Sequence, residues 1–413
     1  MTNENLNGYV APGFERVAEA FKDNFAKRGE IGAACCAYHR GEKVVDLWGG
    51  LRDHKKKLPW EEDTLILVFS TTKGIASMSV ALAHSRGLLD FDERVAHYWP
   101  EFAQNGKENI TVRQLLSHQA GLPVIDHKLK YEDFVDPDRI GSIIAAQRPL
   151  WEAGTRHGYH GISLGWYESE LIRRVDPKKR RLGAFFAEEI AAKLDLEFYI
   201  GLPKEIPDSR IARLKPIAIW KMLFNMDKLP PEFAKQMMKP WSDTAKTFSN
   251  PSVFRDLNNL NQRKWQEIEL PAANGVGQVR SIAKAYSEFA TGGKELGIRD
   301  ETFAALLPPA EIPPSGAKDE ILRFDTAFSL GYCKPAPGMQ FGSSTNSFGT
   351  PGAGGSFAFA DPDKEISFAY AMNRMGYYLI DDPREKSLRD AVYESVESLV
   401  AREISNVETQ SKM

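Results

Sequence analysis

Apolar positions change period along the chain. Between residues 13 and 28, Phe14, Val17, Ala20, Phe21 and Phe25 recur with helical spacing, which predicts an N-terminal helix. Residues 32–50, GAACCAYHRGEKVVDLWGG, read instead as two strands folded at Arg40-Gly41-Glu42. Helical character then dominates, with an amphipathic helix over 71–86 and further helices near 111–118, 162–174, 182–194 and 278–291. Strand signal returns in FDTAFSLGY (324–332) and GSFAFADPDKEISFAYAMN (355–373). Asp361-Pro362-Asp363-Lys364, set between two alternating apolar runs, predicts a hairpin turn, and a closing helix is expected at 385–402. Strands at both ends with helices between them predict an α/β chain of the α+β type, a sheet flanked by helices with a mostly helical region packed against it. The expected division is a discontinuous sheet domain, 1–65 and 272–405, a helical domain, 66–271, and a flexible tail, 406–413.

Composition narrows the function. The chain has 413 residues, 42% hydrophobic and 26% charged, as in a globular protein with a real core. A net charge of −3 gives no reason to expect nucleic acid or an anionic membrane as partner. Cys35, Cys36 and Cys333 form neither a disulfide framework nor a zinc pattern, and Cys35 and Cys36 read as core thiols. No cofactor or metal site is expected. The first residues lack a signal-peptide pattern and no apolar run is long enough to span a membrane, so the expected location is cytoplasmic. The basic run KKRR (178–181) reads as a solvated loop.

Two serines compete as nucleophile. Gly161-Ile162-Ser163-Leu164-Gly165 matches a nucleophile elbow, but that arrangement needs a preceding strand and a histidine later in the chain. All eight histidines lie at or before position 160, which argues against Ser163. Ser70 heads a predicted helix, with Lys73 one turn on and on the same face. The helix N-terminus would favour an oxyanion there. For Lys73 to take the serine proton, its pKa must fall from ~10.4 to ~7–8, about 4 kcal/mol of environment. Burial and a neighbouring cation could supply that. The alternative is a capping serine followed by a solvated lysine. Tyr159 stands in a glycine-bounded turn before a helix. A glycine-rich turn, SFGTPGAGGS (347–356), enters a strand and could bring a backbone amide close to a substrate oxygen.

Taken in this order, Ser70-x-x-Lys73, Tyr159-His160-Gly161 and Thr350-Pro351-Gly352 resemble the three motifs of the serine β-lactamase and penicillin-binding protein superfamily. The resemblance is closest to its β-lactamase-related, class C-like esterase branch. It extends from about Gly32 to Met375 and includes ITVRQLLSHQAGLP (110–123), LEFYIGLP (196–203) and FADPDKEISFAYAMNRM (359–375). It implies a β-lactamase/transpeptidase-like fold with an antiparallel sheet. It also implies a serine hydrolase in which Ser70 is acylated, Lys73 and Tyr159 share the proton traffic, and the N–H groups of Ser70 and Ala353 hold the oxyanion. Of this pair, Tyr159 would be the base towards water and the acid towards the leaving group. Thr350, Gly352 and Gly161 would face the substrate. Two departures stand out: Gly161 replaces a polar residue that reads a substrate amide, and Thr350 replaces a cation. Both favour a small neutral ester or amide, as in a carboxylesterase. The alternatives are a peptidase or transacylase on the same site, or a weakly active scaffold or binding protein. The segments WKMLFNMDKLPPEF (220–233) and MMKPW (237–241) could line an apolar acyl pocket or form core. The final Ser411-Lys412-Met413 resembles the S-K-L peroxisomal address, which would make a peroxisomal import receptor a partner.

Overall fold

The computed structural model describes residues 6–217 and 224–410. The main sheet draws β1 (Leu6–Val10), β2 (Gly32–His39), β3 (Glu42–Asp53) and β4 (Leu58–Pro59) from the start of the chain. From the other end come β8 (Ala327–Ser329), β9 (Tyr332–Lys334), β10 (Phe348–Pro351), β11 (Phe357–Asp361) and β12 (Ile366–Met372). It is antiparallel, in the order β1-β3-β2-β12-β11-β10-β9-β8, with β4 on β3. The two chain ends meet where β2 pairs with β12, from Ala33 opposite Met372 to His39 opposite Ile366. A small second sheet joins β5 (Ile66–Leu67), β7 (Val276–Gly277) and β6 (Phe198–Tyr199).

Alternation along the central strands sorts side chains by size. Phe359, Phe368 and Tyr370 face α1 (Glu15–Lys27) and the closing helix Pro383–Gln410, in a core with Phe14, Phe21 and Leu388. Ala358, Ala360, Ala369 and Ala371 face the opposite way, into the core that contains Tyr286 and Phe289. Small residues on that face let α2 (Thr71–Ser85) and Val279–Ala290 approach closely. Cys35 and Cys36 are free, buried and divided between the two cores.

Several expectations need correction. In α2 every residue except His84 is buried, so it is an interior helix rather than an amphipathic one. It is enclosed by α3 (Ser163–Val175), the short helix Leu182–Phe186 and β10. The helix expected at 111–118 is a single capped turn, Val112–Leu116, and that at 182–194 passes into a π-helical turn, Ala187–Ala191. The strand expected at 324–332 is the β8–β9 hairpin, turned at Leu330 and Gly331, both at positive φ. β1 escaped notice because it is a short edge strand with three exposed residues. KKRR is only partly a solvated loop, since Arg180 pairs with Asp176, Glu188 and Glu189. The closing helix continues to Gln410, so 406–410 are helical, while Ser411-Lys412-Met413 lie outside the described residues. Among the described residues no helix is long and apolar enough to cross a membrane.

Candidate active site

The turn between β5 and α2 delivers Ser70. Phe69, immediately before it, has φ +49°, a conformation that costs a bulky residue roughly 1–3 kcal/mol and persists only where packing enforces it. A capping serine would spend its hydroxyl on the helix N–H groups; Ser70 makes no such bond. Lys73 is not solvated either, for it is wholly buried. Its Nζ lies 3.0 Å from Ser70 Oγ and donates to the carbonyls of Gly161 (2.6 Å) and Ala272 (2.9 Å).

Burial lowers the Lys73 pKa to about 7, while Cys333 and Glu168 pull weakly the other way. No neighbouring cation takes part in this shift. A neutral amine has two N–H groups and one lone pair. The ammonium donates to Ser70 Oγ as well as to the two carbonyls, whereas the free base, keeping both carbonyl bonds, would turn its lone pair to Ser70. Gly161 thus serves through its carbonyl.

Tyr159 is brought beside this pair. Lys73 Nζ lies 4.9 Å from the centre of its ring. Burial raises the tyrosine pKa above its ordinary value, with Cys333 and Asp319 adding to the rise and Ser70 opposing it. The two groups are therefore pushed apart, Lys73 towards the free base and Tyr159 towards the intact phenol.

The support of Tyr159 was not apparent in the sequence. Buried Asp319 accepts the Tyr159 N–H at 3.0 and 3.2 Å, and the Ile321 and Leu322 N–H groups at 2.7 Å each. His118 Nδ1 accepts the His160 N–H at 3.0 Å, and its ring meets Tyr159 edge-on at 5.1 Å. His160 Nε2 accepts from the Leu122 N–H, which leaves Nδ1–H to donate to the Gly158 carbonyl. Burial holds both rings neutral, His160 at about 3. They prop the loop and put no positive charge beside Lys73.

The substrate-facing expectations fare unevenly. A Cβ at Gly161 would lie 2.8 Å from Phe248 and 3.0 Å from Thr247, so the place of a side chain there is already filled. Phe248 stands 6.4 Å from the Tyr159 ring and 5.9 Å from Phe233. Within 220–241, Phe233 packs on Phe248 in the core that contains Tyr159, whereas Trp241 and Met238 are exposed and 220–223 lie outside the described residues. Thr350 departs from expectation: it is fully buried, and its Oγ1 would be 3.2 Å from a Cβ on Gly74, behind α2. Gly352 is a point of close approach, where a Cβ would fall 2.4 Å from the Val68 carbonyl. The exposed Ala353 follows it in the turn. Ser163 is buried with its hydroxyl donated to the Leu122 carbonyl at 2.7 Å, which removes it as a nucleophile. Among the described residues no group of His, Cys, Asp and Glu could hold a metal ion.

Half-buried Ser70 with buried Lys73 and Tyr159 at the start of an interior helix, beside an antiparallel sheet built from both chain ends, is an arrangement fit for a serine hydrolase. The chain belongs to the Beta-lactamase family, whose family model matches residues 15–392. It is 32% identical over 376 residues to the esterase/beta-lactamase LipL of Mycobacterium tuberculosis, covering 89% of this chain and 83% of that protein. A family VIII carboxylesterase of known structure superposes with a TM-score of 0.82 at 35% identity, over 94% of this chain and 99% of that one. A penicillin-binding protein homologue from Caulobacter crescentus gives a TM-score of 0.80 at 34% identity, over 94% and 99%.

Proposed function

We propose that the protein hydrolyses small neutral esters through an acyl-enzyme on Ser70. The observation that carries this reading is the buried Lys73 Nζ, 3.0 Å from Ser70 Oγ and held there by the Gly161 and Ala272 carbonyls. In acylation Lys73 takes the Ser70 proton as Oγ bonds to the ester carbonyl carbon. The carbonyl oxygen becomes an anion facing the N–H groups of Ser70 and Ala353. Collapse breaks the C–O bond to the alcohol, Tyr159 gives the departing alkoxide its proton, and the Lys73 ammonium returns one to Tyr159. Water then attacks the acyl carbon, passing a proton to the same pair, and Ser70 leaves with its own proton restored. Tyr159 thus keeps the role of acid, while Lys73 rather than Tyr159 opens the sequence as base.

An ester is favoured over a β-lactam because position 161 has neither an amide-reading side chain nor room for one, and Thr350 supplies no cation. Relatives named esterase and carboxylesterase support the same choice. Acetyl or butyryl p-nitrophenyl esters should be turned over with kcat/KM about a hundredfold or more above that for penicillins. Equal values for the two classes would refute the assignment. The proposed peroxisomal address, Ser411-Lys412-Met413, has a separate test. A fluorescent protein carrying residues 402–413 should collect in peroxisomes of a eukaryotic host, and diffuse cytosolic fluorescence would dismiss it.

A further inference from the structure

An oxyanion site built from two backbone amides on different segments works only if their separation is held. Ser70 lies on the β5–α2 turn, and Ala353 on the turn between β10 and β11. One buried side chain, Ser356, ties the two turns together. Its Oγ donates to the Val68 carbonyl at 2.8 Å. Because its single proton is spent there, the 3.1 Å contact with Thr71 Oγ1 is a bond in which Thr71 donates. Val68 and Thr71 bracket Ser70, and the Thr71 N–H returns to the same Val68 carbonyl at 3.2 Å. On the other side, the Ser356 carbonyl accepts the Gly352 N–H at 2.7 Å, and the Gly355 N–H closes onto the Gly352 carbonyl at 3.2 Å. Ala353 lies inside that closed turn. A Cβ on Gly352 would sit 2.2 Å from Ser356 Oγ and 2.9 Å from Thr71 Oγ1, so the turn docks at a distance only glycine permits.

We propose that Ser356 is a positioning residue that sets the spacing between the Ser70 and Ala353 amides, with Thr71 as its partner. This rests on reading those two amides as the oxyanion site. Ser356 touches no reacting atom; it acts through the turn. Removing an oxyanion donor costs about 10²–10³ in kcat. A donor that is displaced rather than lost should cost less.

The test compares Ser356→Ala with wild type in hydrolysis of p-nitrophenyl acetate and in affinity for phenyl trifluoromethyl ketone. That ketone forms a tetrahedral adduct with the serine and places an oxyanion between the amides. Ser356→Ala should lose about ten- to hundredfold in kcat and the same factor in ketone affinity, with KM within about threefold. Thr71→Val, nearly isosteric, removes only the Thr71–Ser356 bond and should show the same paired loss at smaller size; it decides the matter if Ser356→Ala fails to fold. A lower melting temperature with kcat per folded enzyme and ketone affinity unchanged would make Ser356 merely structural and overturn the proposal. If wild type neither cleaves the ester nor binds the ketone, the active-site reading fails, and this proposal with it. An active wild type matched by both variants overturns the positioning role alone.

Discussion

Lys73 shows how one buried residue sets a pH window. The unfolded chain keeps its proton up to ~10.4, whereas the folded protein releases it at about 7. Between those values the unfolded state binds more protons, so this residue makes stability rise with pH across the window. Below about 7 both states are protonated and the slope vanishes. Activity follows the same group: kcat/KM for an ester should climb about tenfold per pH unit below 7 and level off above it. A pH–rate profile checks this, and a profile flat from pH 5 to 8 would deny Lys73 the role of base. Ser70-x-x-Lys73 was legible because its two members are one helical turn apart. Phe248 was not, because filling the space beside Gly161 depends on how the distant helix Asp243–Ser249 packs. The Thr350 side chain was misread for a related reason: strand alternation sends it behind α2, and only a known register reveals which face that is.

At the scale of elements, α2 is closed in along nearly its whole length, and that enclosure is what desolvates Lys73. Its period alone suggested one buried face, since serine, threonine and alanine positions do not read as core in a sequence. The segments with strong alternation, β2 with β3 and β11 with β12, were read correctly, hairpin turn included. Short elements were not: β1 depends on pairing with β3, across the whole of α1 and β2, and β8 and β9 are too short to show an alternation of their own. The loop holding Tyr159 is likewise anchored from far along the chain. Its N–H anchor, Asp319, belongs to a segment with no motif of its own, and only the folded chain places that carboxylate beneath the tyrosine.

Across the whole molecule, three stretches far apart in sequence, around Ser70, Tyr159 and Ala353, converge because β2 and β12 knit the two chain ends into one sheet. α2 lies against that sheet at β10, which brings the Gly352 turn onto the turn that holds Ser70. The proposed hydrolysis depends on Ser70 above all. The most direct measurement is intact-protein mass spectrometry with peptide mapping after reaction with a fluorophosphonate. One adduct is predicted, on Ser70, absent from Ser70→Ala together with ester turnover and retained in Ser163→Ala. An adduct on Ser163, or full ester turnover by Ser70→Ala, would contradict it.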